Sequence, residues 1–145
     1  MAERTDWRAV GIGVAVGLAG TLLLGMVFRL MQFDVERHGP WLIHVFSYGA
    51  GAVVDIACGA TAGALARRRG ALHGVLAGLG ASLASPVVGY VTMLVQGHGT
   101  APIELDAYLL AIAFSSGVGI VLATVAGAIA APIAARARGR ADPAP

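Results

Sequence analysis

Apolar residues in this chain run on in long blocks and do not alternate with polar ones. Residues 9–28, 41–66, 71–95 and 107–135 are almost continuously apolar, and arginines or short polar segments separate them. Each block holds at least the ~20 residues that a helix needs to cross about 30 Å of hydrocarbon. The last three are longer, which predicts tilt or protruding ends. Strands of a membrane barrel would be ~10 residues of alternating polarity. The pattern therefore predicts an all-α fold, an integral membrane bundle of four transmembrane helices running up and down. Residues 1–140 form that single domain, and the tail at 141–145 is expected to be disordered. The first block is longer than the ~7–15 residues of a signal-peptide core, so it reads as a retained helix.

Composition agrees with this pattern. Of 145 residues, 57% are hydrophobic and 12% charged. A soluble domain carries about a quarter charged residues, and one this small exposes too much surface to hide so much apolar area. A bilayer removes that conflict and is the first expected partner. The ten basic residues are all arginine, in a background heavy in Ala, Gly and Val, which suggests a GC-rich bacterial genome. Their clustering at the block ends points to lipid headgroups and orientation, and nucleic acid is not expected.

The arginines predict a topology. With the N-terminus inside, the inner segments hold Arg4, Arg8, Arg67, Arg68, Arg69, Arg136, Arg138 and Arg140, and the outer segments only Arg29 and Arg37. Cationic residues accumulate on the cytoplasmic side, so both termini are expected in the cytoplasm of a plasma (inner) membrane protein. Arg67, Arg68, Arg69, Arg136, Arg138 and Arg140 are the expected topology anchors. Trp41 and Tyr108 open the second and fourth blocks at the outer interface, and Trp7 marks the inner one, where amphipathic rings settle. The turn at 67–70 is short, so the second and third helices form an antiparallel neighbouring pair. The outer segment 29–40 has the mixed pattern of a short interfacial helix, and 96–106 reads as a flexible acidic loop.

Small residues recur at helical spacing. Gly13 and Gly17, Gly59 and Gly63, Gly74 and Gly78, and Gly119 and Gly127 each lie a whole number of turns apart. Such flat strips let helix backbones approach closely, and dispersion then replaces the missing hydrophobic drive. These eight are the expected helix-packing glycines, serving the bundle or a homo-oligomer. The segments Ala60-Thr61-Ala62-Gly63-Ala64 and Ala123-Thr124-Val125-Ala126-Gly127-Ala128 also look alike, a similarity that an Ala- and Gly-rich chain readily produces by chance.

One residue breaks the apolar pattern. Asp55 sits near the middle of the second block, where a charge costs about 2.5–3.5 kcal/mol on insertion scales. Its side chain is too short to reach the interface. It must face the bundle interior, find a donor, or be protonated. His44, Tyr48, Gly51 and Asp55 follow spacings of 4, 3 and 4, so they share one helix face. Polar residues on other helices could extend that stripe: Thr21, Ser82, Ser85, Tyr90, Gln96, Ser115, Ser116 and Thr124. Pro86 removes one backbone hydrogen bond near mid-span and frees a carbonyl. Asp55, Tyr48 and His44 are thus the candidate proton or cation pathway. The competing reading is a structural hydrogen bond from Asp55 to a neighbouring Ser or Thr.

Other chemistry finds little footing. Ser115 and Ser116 have no nearby base and no Gly-x-Ser-x-Gly elbow, so no catalytic residue is assigned and no enzyme is expected. No two of His38, His44, His73 and His98 face each other within the blocks, and no ligand spacing suits zinc. Neither metal nor cofactor is expected. The lone Cys58 excludes an internal disulfide and reads as a small packed hydrophobe.

The segment Gly59-x-x-x-Gly63-x-x-Ala66-Arg67-Arg68-Arg69-Gly70-Ala71-Leu72-His73-Gly74-x-x-x-Gly78 resembles one in the small four-span bacterial membrane proteins of the uncharacterised YrzE-like type. The resemblance covers about twenty residues. It implies a four-span bundle, with His73 bracing the turn, and carries over no catalytic residue. The reading preferred from sequence is a small membrane protein acting by helix packing with itself or a larger membrane complex. The alternative is a proton- or cation-conducting channel or transporter subunit that uses Asp55.

Overall fold

The computed structural model describes residues 5–30, 35–66, 69–95 and 105–141. They form α1 (Trp7–Leu30), α2 (Val35–Leu65), α3 (Gly70–Val95) and α4 (Leu105–Ala141). All four contain a segment long and apolar enough to cross a membrane: Trp7–Phe28, Tyr48–Leu65, Gly70–Val88 and Ala113–Gly139. Large apolar side chains cover the outside, among them Leu23, Val53, Leu83, Val121 and Ile133. The inside is filled by small ones: Cys58, Ala62, Ala77 and Ala81.

Two helices outrun their apolar blocks. α2 starts at Val35, ahead of the boundary expected at Trp41. It runs through Pro40, the sixth residue of the helix, whose missing N–H removes one intrahelical donor near that end. α4 continues past residue 135 to Ala141, carrying Arg136 and Arg138 on the helix itself. Arginine is a good helix former, so hydropathy marks where an apolar segment ends and not where the helix does. Ala141, expected in a disordered tail at 141–145, and residues 105–106, expected in the outer loop at 96–106, belong to α4. The rest of that tail and loop, Arg67 and Arg68, and the side chains of His44, Tyr90 and Arg140 lie outside the described residues.

Among the described residues α1 packs on α2 and α3, and α4 packs on the same two, but α1 and α4 do not touch. The chain runs up and down, yet its spatial order is α1, then the α2–α3 pair, then α4. The reason lies in the glycines. A Cβ added at Gly13 would lie 2.8 Å from Ala62 Cβ and 3.0 Å from Ala77 Cβ, so α1 nests between α2 and α3. On the other side, a Cβ at Gly59 or Gly63 would strike the backbone of Ala123 or Gly127, and one at Gly74 would strike the Ala123 carbonyl. The Ala123–Gly127 strip of α4 thus lies backbone-to-backbone in a groove formed by α2 and α3. The two segments that look alike in sequence are the ones that pack together.

Hydrogen bonds tie the arginine-bearing end. Asp6 caps α1, its Oδ1 accepting from the backbone N–H of Arg8 at 3.1 Å and of Ala9 at 3.2 Å. The Asp6 N–H donates to His73 Nε2 at 3.0 Å, and His73 Nδ1 donates to the Arg69 carbonyl at 3.0 Å. These contacts select the neutral tautomer with the proton on Nδ1. His73 is only 4% exposed and joins the start of α1 to the start of α3. Arg69 itself sits at φ 56°, in the left-handed region that lets a short turn close. At the other corner Arg138 donates to the Ala64 carbonyl at 2.9 Å, capping the end of α2 from α4. The first and last described helices therefore begin and end on the same face of the bundle, with Arg8, Arg69, Arg136 and Arg138.

Candidate functional site

Beyond Cys58 the packing opens. A cavity of about 280 Å³ is lined by residues from all four helices: Gly17 and Thr21 of α1, Val54 and Asp55 of α2, Ala81, Ser82, Ser85 and Pro86 of α3, and Ser115 and Ser116 of α4. It gathers one carboxylate and five hydroxyls. Asp55 is the only formally charged residue in the four expected spans, and the cavity lining includes no basic side chain.

Local sequence explains how each element contributes. Ser82 and Ser85 are three apart and share a face of α3, whereas the adjacent Ser115 and Ser116 reach the lining from two flanks of α4 about 100° apart. Pro86 has no N–H, so the carbonyl of Ser82, four residues earlier, loses its helical donor. Ser82 and Pro86 both line the cavity. Gly119 makes room for the acid: a Cβ there would lie 2.6 Å from Asp55 Oδ2. Gly119 was expected as a helix-packing residue; what it packs against is the carboxylate.

The hydroxyls do not all serve Asp55. Thr21 Oγ1 donates to the Gly17 carbonyl at 3.0 Å. Thr124 lies outside the cavity lining, and its Oγ1 donates to the Ile120 carbonyl at 2.6 Å. Hydroxyls bonded to their own helix still present lone pairs to a guest. No fully buried polar side-chain atom among the described residues lacks a partner. The Asp55 carboxylate is partly buried and lines the cavity.

A second cavity, about 270 Å³, lies on the other side of the acid. Tyr48, Gly51, Ala52 and Asp55 of α2 form one wall, and Phe114, Ser115, Val118 and Leu122 of α4 the other. Tyr48, Gly51 and Asp55 are the described part of the predicted stripe, and they do line one cleft together. Asp55 and Ser115 belong to both cavities. Sequence reasoning named Ser115 and the other hydroxyls only as candidates to extend the stripe, and it missed Phe114 and Val118. Their signal, Phe114 and Val118 one turn apart beside Ser115, is indistinguishable from ordinary apolar helix surface.

The donor set is oxygen only, which suits protons and hard cations and not soft metals. Cys58, one turn from Asp55, is sealed against Gly17 and belongs to the packed half. The likeness of the 59–78 segment to YrzE-like proteins rests on its sequence alone. No family model matches this chain, and comparison with curated proteins and with solved structures finds no match.

Proposed function

We propose that this chain is an integral membrane protein of the bacterial inner membrane whose four-helix cavity binds a proton or a small hard cation at Asp55 in the course of moving it across the bilayer. The observation that carries the reading is the convergence of one carboxylate and five hydroxyl-bearing side chains from all four helices on one cavity within an otherwise apolar bundle. An ionisable group held at such depth is costly and is retained where it serves a pathway. The cavity supplies the oxygen ligands that replace lost water.

The arginine-bearing face, with both ends of the described chain, lies in the cytoplasm on this reading. The excess of Arg at that face supports it, as does the exposed ring of Trp7 beside it. A proteoliposome assay tests the function. Purified protein reconstituted with an internal pH dye, and in parallel with a sodium-sensitive dye, should collapse an imposed gradient, and Asp55→Asn should not. Equal flux from both proteins, with matched helical content by circular dichroism, overturns the reading.

A second reading is association with another copy or with a larger membrane complex. One feature favours it. Ala113 and Gly117 leave an open depression of about 450 Å³ on the outer face of α4, lined by that helix alone. Mass analysis in mild detergent decides whether a second chain covers it. The eight expected packing glycines contribute nothing further here, since each already meets a neighbour within the chain.

A further inference from the structure

We infer that the cleft between α2 and α4 takes a small amphipathic organic cation, an apolar body bearing a protonated amine, which enters from the lipid side and sets its amine against Asp55. The inference rests on the membrane reading above and names a second class of ligand for the same acid. The cleft differs from the hydroxyl-lined cavity in what it offers. Its side-chain oxygens are those of Asp55, Ser115 and the phenol of Tyr48, and the remaining side chains in the lining are apolar. That is too few to strip and replace the hydration shell of a bare metal ion, which demands about six oxygen ligands. A protonated amine needs less. It carries its own apolar body, and one carboxylate with one hydroxyl satisfies its donors.

The mouth fits the same guest. Tyr48 is 56% and Phe114 67% exposed, so an aromatic ring stands on each wall where the cleft meets the outside. Aromatic faces attract ammonium groups, more so away from water. Inside the mouth Gly51 leaves space, since a Cβ there would touch nothing within 4 Å. The depression on α4 shares Phe114, Val118 and Leu122 with the cleft, so a longer apolar tail has a continuous path back toward lipid. Asp55 closes the inner end, with no basic side chain in the lining to compete for it. The volume, about 270 Å³, is at the low end for small-molecule sites and selects a compact headgroup.

The test titrates the full chain in mild detergent with 8-(dansylamino)octylamine, which keeps a free terminal amine that is protonated at neutral pH, followed by fluorescence, against the matching 8-(dansylamino)octanol. Saturable binding of the amine, weakened about 30-fold in Asp55→Asn by loss of a buried charge partner, supports the proposal. So does loss of binding in Gly51→Leu, which fills the cleft and spares the acid. Val125→Leu, on the outer face of α4, should bind as the parent does. Equal affinity for amine and alcohol, or undiminished amine binding in both Asp55→Asn and Gly51→Leu, overturns it. The dye-flux assay run on the same preparations separates the two ideas. Ion flux without amine binding sinks this inference alone, and Asp55-dependent amine binding without ion flux sinks the proposed transport of inorganic cations alone.

Discussion

The half of the bundle nearer the arginines and the half beyond Cys58 are built from the same small residues, yet one is solid and the other hollow. In the first half Gly59, Gly63, Gly70 and Gly74 sit against the backbone of Ala123 and Gly127. Ala62, Ala66, Ala77 and Ala123 are completely buried. In the second half Gly51 and Gly117 face open space, and Ser82, Ser85, Ser115 and Ser116 line a cavity where the first half has alanine. A glycine closes a gap only if another backbone fills the space it leaves. Where the facing residue is serine, proline or an acid, the same small side chains leave volume. In the tight half the backbone of α4 is fixed against α2 and α3.

The contrast can be broken most severely in the solid half. Gly127→Val would drive a Cβ to within 2.6 Å of the Gly70 carbonyl and 3.0 Å of Gly74 Cα, where no flexible side chain can yield. The expected loss is about 3 kcal/mol or more, read as early unfolding in a detergent denaturation series. Gly117→Val in the hollow half should change stability little in the same series. If both variants unfold alike, the two halves do not differ as described.

Next in size is the effect of Asp55→Asn, which should reduce cation flux about tenfold or more while leaving the unfolding midpoint equal or higher. A carboxylate in low dielectric is a cost to folding, and its neutral isostere reduces that cost. A variant that lost both flux and stability would mark Asp55 as a structural partner.

Thiol labelling sharpens the boundary between the halves. Cys58 is buried against Gly17, so maleimide should leave it unmodified in the folded protein. A thiol placed by Ser115→Cys in the Cys58→Ala background lines both cavities and should label readily. Fast labelling of Cys58 would place the open region a full turn deeper than the structure has it.

The smallest expected effect is at the arginine end. His73→Ala removes the acceptor of the Asp6 N–H and the donor to the Arg69 carbonyl. It should cost about 1–2 kcal/mol, with flux unaffected, which a combined denaturation and flux measurement would check. A change in flux with unchanged stability would connect the two halves more closely than their packing suggests.

Much of the fold was legible in sequence because hydropathy is a local property. Four long apolar blocks determined four helices, and Asp55 was visible as the one charge within them. The shared face of Tyr48, Gly51 and Asp55 followed from helical spacing alone. What sequence could not say is where each helix sits around the bundle. Glycine strips occur on every helix, and only three-dimensional fit decides that α4 lies across α2 and α3 while α1 takes the opposite side. That choice sets Gly119 beside the carboxylate and brings serines 30 and 60 residues away in the chain into one cavity with it. Hydropathy and periodicity act within a helix and are written in its own residues. The cavity is a gap between four surfaces, and a gap exists only once the surfaces have met.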